Sequence, residues 1–348
     1  MKNLDTMRKF AEKRWLSVSV ALLSLLLLFA VNVFYGSVDI PFGEVLSVLS
    51  GGDCEREVWR VIILEMRLPQ ALTATLAGAA ISVAGLMLQT LFGNPLAGPE
   101  VLGINSGAGL GVAIVMLLTQ GAMYAGDFGL TGYMALLSGA FLGAALITVV
   151  ILLLSSLLRN RLFLLIAGVA VSYLASSAIT VLNYFATSEG VHSYMIWGMG
   201  SFSAVSTTQL PLFAILVSVL LLLALVMTKS LNAMLLGDMY ARNLGLNVKF
   251  VRSVVLSITG MLTAVVTTFC GPIAFIGLAV PHIARLFVKS GNHRLLMPCV
   301  IIVGAAVALL CNVICQLPGE SGLLPLGAVT PLIGAPVIIY VILRDRSL

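Results

Sequence analysis

Charge is what this sequence has least of. Only 9% of its 348 residues are Asp, Glu, Lys or Arg, against 60% hydrophobic, and the mean hydropathy is +1.10. A soluble chain of that length could not hide so much apolar surface around ordinary cores, which excludes a water-soluble enzyme. Catalytic signatures are missing too. The chain has no G-x-x-x-x-G-K-[ST] phosphate loop, so it does not use ATP through that device, and no H-E-x-x-H or G-x-S-x-G. Its three histidines, His192, His282 and His293, are dispersed, and no His–carboxylate pair stands at metal-ligand spacing. Four of the five cysteines (Cys54, Cys270, Cys299, Cys311 and Cys315) lie in apolar runs; they read as small buried hydrophobes and imply no disulfide framework.

What is present is a succession of ion-free apolar runs, each of about 18 residues or more, enough to cross roughly 30 Å of hydrocarbon. The chain is therefore expected to be all-α and polytopic, a single membrane domain over 1–348. About ten spans are expected, starting near residues 16, 58, 100, 131, 162, 208, 250, 273, 295 and 328. The N-terminal stretch lacks a small-residue cleavage site and leads straight into the first run, so residues 1–15 are expected to be a tail ahead of a retained span.

The charges test this count. With the N-terminus cytoplasmic and every span crossing, sixteen of the nineteen Lys and Arg residues fall on the inner side or its margin. They include Arg8, Arg14, Arg159, Arg161, Arg242, Arg252, Arg285, Lys289, Arg344 and Arg346, and only Arg56, Arg60 and Arg67 remain outside. Asp39, Glu44, Asp53, Glu55, Glu57, Glu65, Asp127, Glu189 and Glu320 all fall outside. Both termini are then cytoplasmic, and the net charge of +5 reflects topology, not nucleic-acid binding.

Several segments depart from a plain span. The second run, from about 58 to 93, is longer than a perpendicular crossing needs, so it should tilt or protrude outward. Its small residues, Gly78, Ala79, Ala80, Ser82, Ala84 and Gly85, should place it near the centre of the bundle, because helices associate in lipid by close packing. The eighth run is short. Gly271 and Pro272 break it and Pro281 is expected to break it again, so it should face the protein interior, where irregular backbone is tolerated. Residues 192–204 are too short to span and suggest an outer helix or loop with Trp197 at the interface. Spans 2–5 and 7–10 each open with a small-residue helix followed by a Pro/Gly break, NPLAGP or CGPIAF, which leaves an internal repeat open.

Span interiors carry almost no carboxylate, whereas coupling to protons or sodium needs ionisable ligands at membrane depth. That favours a passive pathway worked by another subunit over the alternative, an ion-coupled secondary transporter. Residues 227–252, MTKSLNAMLLGDMYARNLGLNVKFVR, form a basic amphipathic loop with a break at Gly237. It could enter a groove on a partner through Leu235, Leu236, Met239, Tyr240 and Leu244, or lie on an anionic leaflet.

The stretches LEMRLPQALTATLAGAAISVAGLMLQTLFGNPLAGPEVLGINSGAGLG, GDMYARNLGLN, GPIAFIGLAVPHIAR, HRLLMP and LPLGAVTPLIGAPVIIYVILR recur in order from about residue 60 to 344. This array resembles the permease subunits of binding-protein-dependent bacterial ABC importers for iron-siderophore complexes, haem and cobalamin, with the type II importer fold. The resemblance implies a homodimer in the inner membrane, with two cytoplasmic ATPase subunits that use ATP and Mg and a periplasmic binding protein above. It implies no cofactor on this chain. It marks 229–249 as a coupling loop in which Asp238, Ala241, Arg242, Leu244 and Gly245 meet the ATPase. Asn94, Pro95, Pro281, His282 and Arg285 would support that inner side, with His282 and Arg285 structural and not chemical.

Arg67 matches a periplasmic arginine that docks the binding protein in such systems. Here the second arginine of R-L-P-R is Gln70, and D-x-x-x-R near the end of span 9 becomes Asn312 and Gln316, so Arg56 and Arg60 stand as substitutes. Thr73, Thr75, Gln89 and Asn183 are the expected pathway-lining residues.

Overall fold

The computed structural model describes residues 2–118, 129–158, 160–317 and 322–345. Asp127, Arg159, Glu320 and Arg346 lie outside the described residues. Fifteen α-helices order the described chain: α1 Lys2–Phe34, α2 Phe42–Leu49, α3 Glu57–Val61, α4 Leu68–Phe92, α5 Ile104–Leu118, α6 Gly129–Leu157, α7 Arg161–Phe185, α8 Ser188–Gly198, α9 Leu210–Val226, α10 Thr228–Leu235, α11 Asp238–Asn243, α12 Val248–Cys270, α13 Ile276–Val288, α14 His293–Gln316 and α15 Leu326–Asp345. Ten of them, α1, α4–α7, α9 and α12–α15, answer to the ten expected spans.

α3 runs through a π turn, Ile62–Arg67, into α4, giving one helical rod from Glu57 to Phe92. At 1.5 Å per residue its 36 residues exceed the membrane thickness, and the excess lies at the α3 end. The rod's apolar window is 83% buried, against 22% for α7 and 33% for α6. Every residue from Ala77 to Phe92 is buried, as expected of a helix that is apolar all round. Small side chains make this possible. A Cβ on Gly78 would collide with the Gly304 carbonyl of α14, and one on Gly85 with the Gly277 carbonyl of α13. The outer helices α6, α7 and α9 instead turn Leu142, Leu146, Leu174, Leu222 and similar residues outward, suited to lipid.

α13 corrects one sequence expectation. It runs unbroken through Pro281. Proline lacks an N–H and so frees the carbonyl four residues earlier, that of Gly277, which is the carbonyl seated against Gly85. The helix survives because the helix face that loses its hydrogen bond is sealed by α4. Residues 192–204 also differ from expectation. α8 is a helix, but Trp197 is only 9% exposed and packs inward with Tyr194 at 6.1 Å between ring centroids. The turn after it is tied to two neighbours, Ser201 N–H donating to the Cys270 carbonyl at 2.8 Å and Gly327 N–H to Met199 at 2.8 Å.

The segment between α4 and α5 turns back into the bundle. A Cβ on Gly277 would lie 2.9 Å from Pro99 Cδ and 2.9 Å from the Ile81 carbonyl. Ile81 stands eleven residues before the end of α4, roughly 16 Å up the helix. The 3₁₀ turn Pro99–Leu102 is therefore level with the middle of α4, not at the end of the bundle, and α5 starts from that depth.

Candidate functional site

The end of the bundle that carries α10 and α11 gathers most of the residues singled out in the sequence. α10 and α11 form a short hairpin around Gly237. α11 ends in a Schellman cap: Gly245 N–H donates to the Arg242 carbonyl at 2.9 Å and Leu246 N–H to Ala241 at 3.0 Å, with Gly245 at φ +82°. That left-handed conformation is why glycine stands there. Ala241 is fully buried and fixes the hairpin's inner face, while Arg242 is exposed. On the outer face Met239 is 78% exposed, and Leu235, Leu236, Tyr240 and Leu244 are exposed beside it. Five large apolar side chains on fewer than a dozen residues are thus left uncovered within the protomer, an apolar patch of the kind that a partner or a lipid surface covers.

Two polar junctions bolt this hairpin to the bundle. Asp238, at the start of α11, pairs with Arg161 at the start of α7 and with Arg252 of α12, the latter at 3.5 Å. Arg252 also donates to the Leu158 carbonyl at 3.4 Å. The second junction is built on Asn232 of α10. Its Oδ1 accepts from the backbone N–H of His293 at 2.8 Å and from His293 Nδ1–H at 2.9 Å, and its Nδ2 donates to Asn292 at 2.8 Å. That leaves His293 Nε2 to accept from the Thr90 hydroxyl of α4 at 2.8 Å.

Asn94, Pro95, Gln89, Arg161, Gly237 and Arg285 line one cavity of about 310 Å³ between this hairpin and the end of α4. His282 Nε2–H donates to the Pro95 carbonyl at 2.9 Å. Arg285 donates to Gln89 Oε1 at 2.9 Å, and Gln89 donates in turn to the Leu278 carbonyl at 3.1 Å. Asn94 shapes the turn through its Oδ1, which accepts from Leu96 N–H at 2.9 Å. The buried Pro281 lies one residue before His282 on the same helix. These contacts link the α4 turn to α13 and leave the imidazole committed to a backbone carbonyl.

The four residues expected to line the pathway differ in burial. Thr73 and Gln89 are 0% and 3% exposed inside a single protomer, because the small residues of α4 draw α12, α13 and α14 tight around it. Thr75 and Asn183 are half-buried, Thr75 donating to its own helix at the Ala71 carbonyl. Sequence reasoning missed Glu100. It sits in the re-entrant turn with its carboxylate over Gly98 and against the backbone N–H of Phe275, at the positive end of α13. Its place in a loop between spans hid its depth; the only cue was the Pro-rich break around it.

At the opposite end lies Arg67. It is 5% exposed, and its guanidinium donates to the carbonyls of Val33 at 3.2 Å, Phe34 at 2.9 Å and Val38. It holds the end of α1, with little of its surface left exposed. Arg56 is exposed, stacked over Trp59 at 5.0 Å, and Arg60 donates to the Gly52 carbonyl at 2.7 Å. Gln70, Asn312 and Gln316, the three departures from the family pattern, meet each other. Gln70 Nε2 donates to Asn312 Oδ1 at 2.9 Å, Gln316 Nε2 to Gln70 Oε1 at 3.4 Å, and Asn312 Nδ2 to Asn32 Oδ1 at 2.6 Å.

A ten-span bundle with a two-helix inner hairpin can be compared with known proteins. The profile of the FecCD transport family matches residues 23–344. The chain belongs to the FecCD transport family. It is 36% identical over 347 residues to the vitamin B12 import system permease protein BtuC of Klebsiella pneumoniae subsp. pneumoniae, covering all of this chain and 98% of that protein. The Escherichia coli O9:H4 BtuC is 36% identical over 298 residues, 86% of this chain and 88% of that one. A solved structure described as an inward-facing conformation of a metal-chelate type ABC transporter superposes with TM-score 0.81 at 26% identity, covering 94% of this chain and 98% of that one. The permease is thus the membrane subunit of an ABC importer, a multi-pass protein whose ATPase and binding-protein partners are separate chains. Membership in this family sets aside the ion-coupled alternative.

Proposed function

We propose that this permease forms a homodimer in the bacterial inner membrane, with both termini cytoplasmic, and passes a bulky metal chelate inward. The chelate is cobalamin or an iron complex, siderophore or haem, with cobalamin first to test given the vitamin B12 import relatives. The observation that carries this reading is the α10–α11 hairpin: an apolar outer face on a base anchored by Asp238 and Asn232 to α7, α12, α14 and α4. ATP-driven closure of two ATPase subunits beneath such a hairpin would pull on four membrane helices at once. His282 and Arg285 would stiffen the neighbouring turn, so that the α4 and α13 ends move together. The scarcity of charge along the bundle suits a large chelate that must be released and not held.

The test is uptake into proteoliposomes that hold the permease with its ATPase, given binding protein and labelled cobalamin, ferric siderophore or haem. Accumulation of one of these that requires ATP is expected. Accumulation driven by a proton or sodium gradient without ATP, or none while ATP is hydrolysed, would overturn the reading.

A further inference from the structure

The α3 end of the molecule holds a cavity of about 400 Å³ whose wall includes Glu65, Arg67, Gln70, Ser206 and Gln316. Arg67 is the cation of that wall, and its guanidinium is occupied by three backbone carbonyls with Asp39 nearby. Gln316 is 5% exposed, yet its Oε1 has no hydrogen-bond partner among the described residues. A buried carbonyl acceptor without a donor is an unfilled position. The segment 39–65, which ends at this cavity, is acidic. Asp39, Asp53, Glu55, Glu57 and Glu65 are exposed and Glu44 is partly so. Of the three nearby arginines, Arg67 is buried, Arg60 is held by Gly52, and Arg56 stacks on Trp59.

We propose that this surface docks the importer's binding protein through basic side chains of that partner, one Lys or Arg entering the cavity beside Glu65 and donating to Gln316. The inference rests on the importer reading, which supplies the partner and places residues 35–67 outside. It inverts the polarity expected from a docking arginine, since five exposed carboxylates here outnumber the one exposed arginine, Arg56. An acidic partner face would meet like charge within a Debye length of about 8 Å, whereas a basic one would be steered in. A neutral donor could satisfy Gln316 but would gain no attraction from Glu65 and the neighbouring carboxylates. A bound metal ion is a poor occupant, because no group of three His, Cys, Asp or Glu among the described residues could hold one.

The test uses the permease–ATPase complex in nanodiscs and, as probe, the binding protein of the same importer. Affinity is measured for the wild type, for Asp39→Lys/Glu65→Lys, and for Gln316→Leu, with basal ATP hydrolysis as the check on folding. Charge reversal should weaken binding at least about tenfold, and wild-type affinity should fall as salt rises. Lys→Glu or Arg→Glu changes on the partner's docking face should restore binding to the reversed permease, and Gln316→Leu should weaken it less. Unchanged or tighter binding after reversal, or rescue only by removing partner carboxylates, would overturn the inference while leaving the importer reading intact. Failure of the wild type to bind both this partner and any ATPase would instead sink the importer reading itself.

Discussion

The two ends of the bundle solve the same problem with different chemistry. At the hairpin end, Asp238 joins Arg161 and Arg252 in an ionic junction; at the other end, Gln316, Gln70, Asn312 and Asn32 form a chain of neutral amides. Burial explains the choice. The Asp238 and Arg161 side chains keep 29% and 20% of their surface, so their charges stay partly hydrated while Asp238 compensates the buried Arg252, whereas Asn32 and Asn312 are 1% and 3% exposed. Fully dehydrating an ion pair costs more than its attraction readily returns, while amides can satisfy one another without that penalty. The lesson is that charge is kept where an element must be gripped at the surface. Between α1, α4 and α14 amides join the helices, and the buried charge at that end, Arg67, is wrapped by backbone carbonyls.

Breaking the ionic end should cost most. Asp238→Ala leaves Arg161 and Arg252 facing each other, with Arg252 keeping only its long bond to Leu158. Thermal unfolding of the purified permease should report a loss of about 3 kcal/mol, and stimulation of the ATPase by the permease should fall with it. At the amide end, Asn312→Ala removes one bond to Gln70 and one to Asn32, for an expected loss of about 1–2 kcal/mol in the same assay, with ATPase stimulation unchanged. Equal effects of the two variants on ATPase stimulation would erase the distinction between the ends.

Much of the fold was legible in the sequence, because each crossing segment announces itself by an ion-free run. Expected starts near 58, 162 and 295 meet helices beginning at Glu57, Arg161 and His293. The hairpin was legible for a related reason: apolar residues such as Met239 and Leu244 stand among charges where no span can be. What stayed hidden depends on contacts distant in sequence. The burial of Arg67 requires the end of α1 to wrap its guanidinium, and the helical course of Pro281 requires Gly85 to receive the Gly277 carbonyl. The depth of Glu100 requires a loop to fold back against Ile81, and hydropathy cannot separate that from an ordinary surface turn. Gln70, Asn312 and Gln316 were visible as departures, but only the fold shows that they meet.

The central claim is that the α10–α11 hairpin grips a separate ATPase. It is tested most directly by co-purifying ATPase subunits with the intact permease and with Met239→Glu/Leu244→Glu. Both side chains are exposed, so the variant's unfolding temperature should not change. Loss of the ATPase from the variant alone is the predicted result. Equal recovery of the ATPase with both proteins would contradict the account.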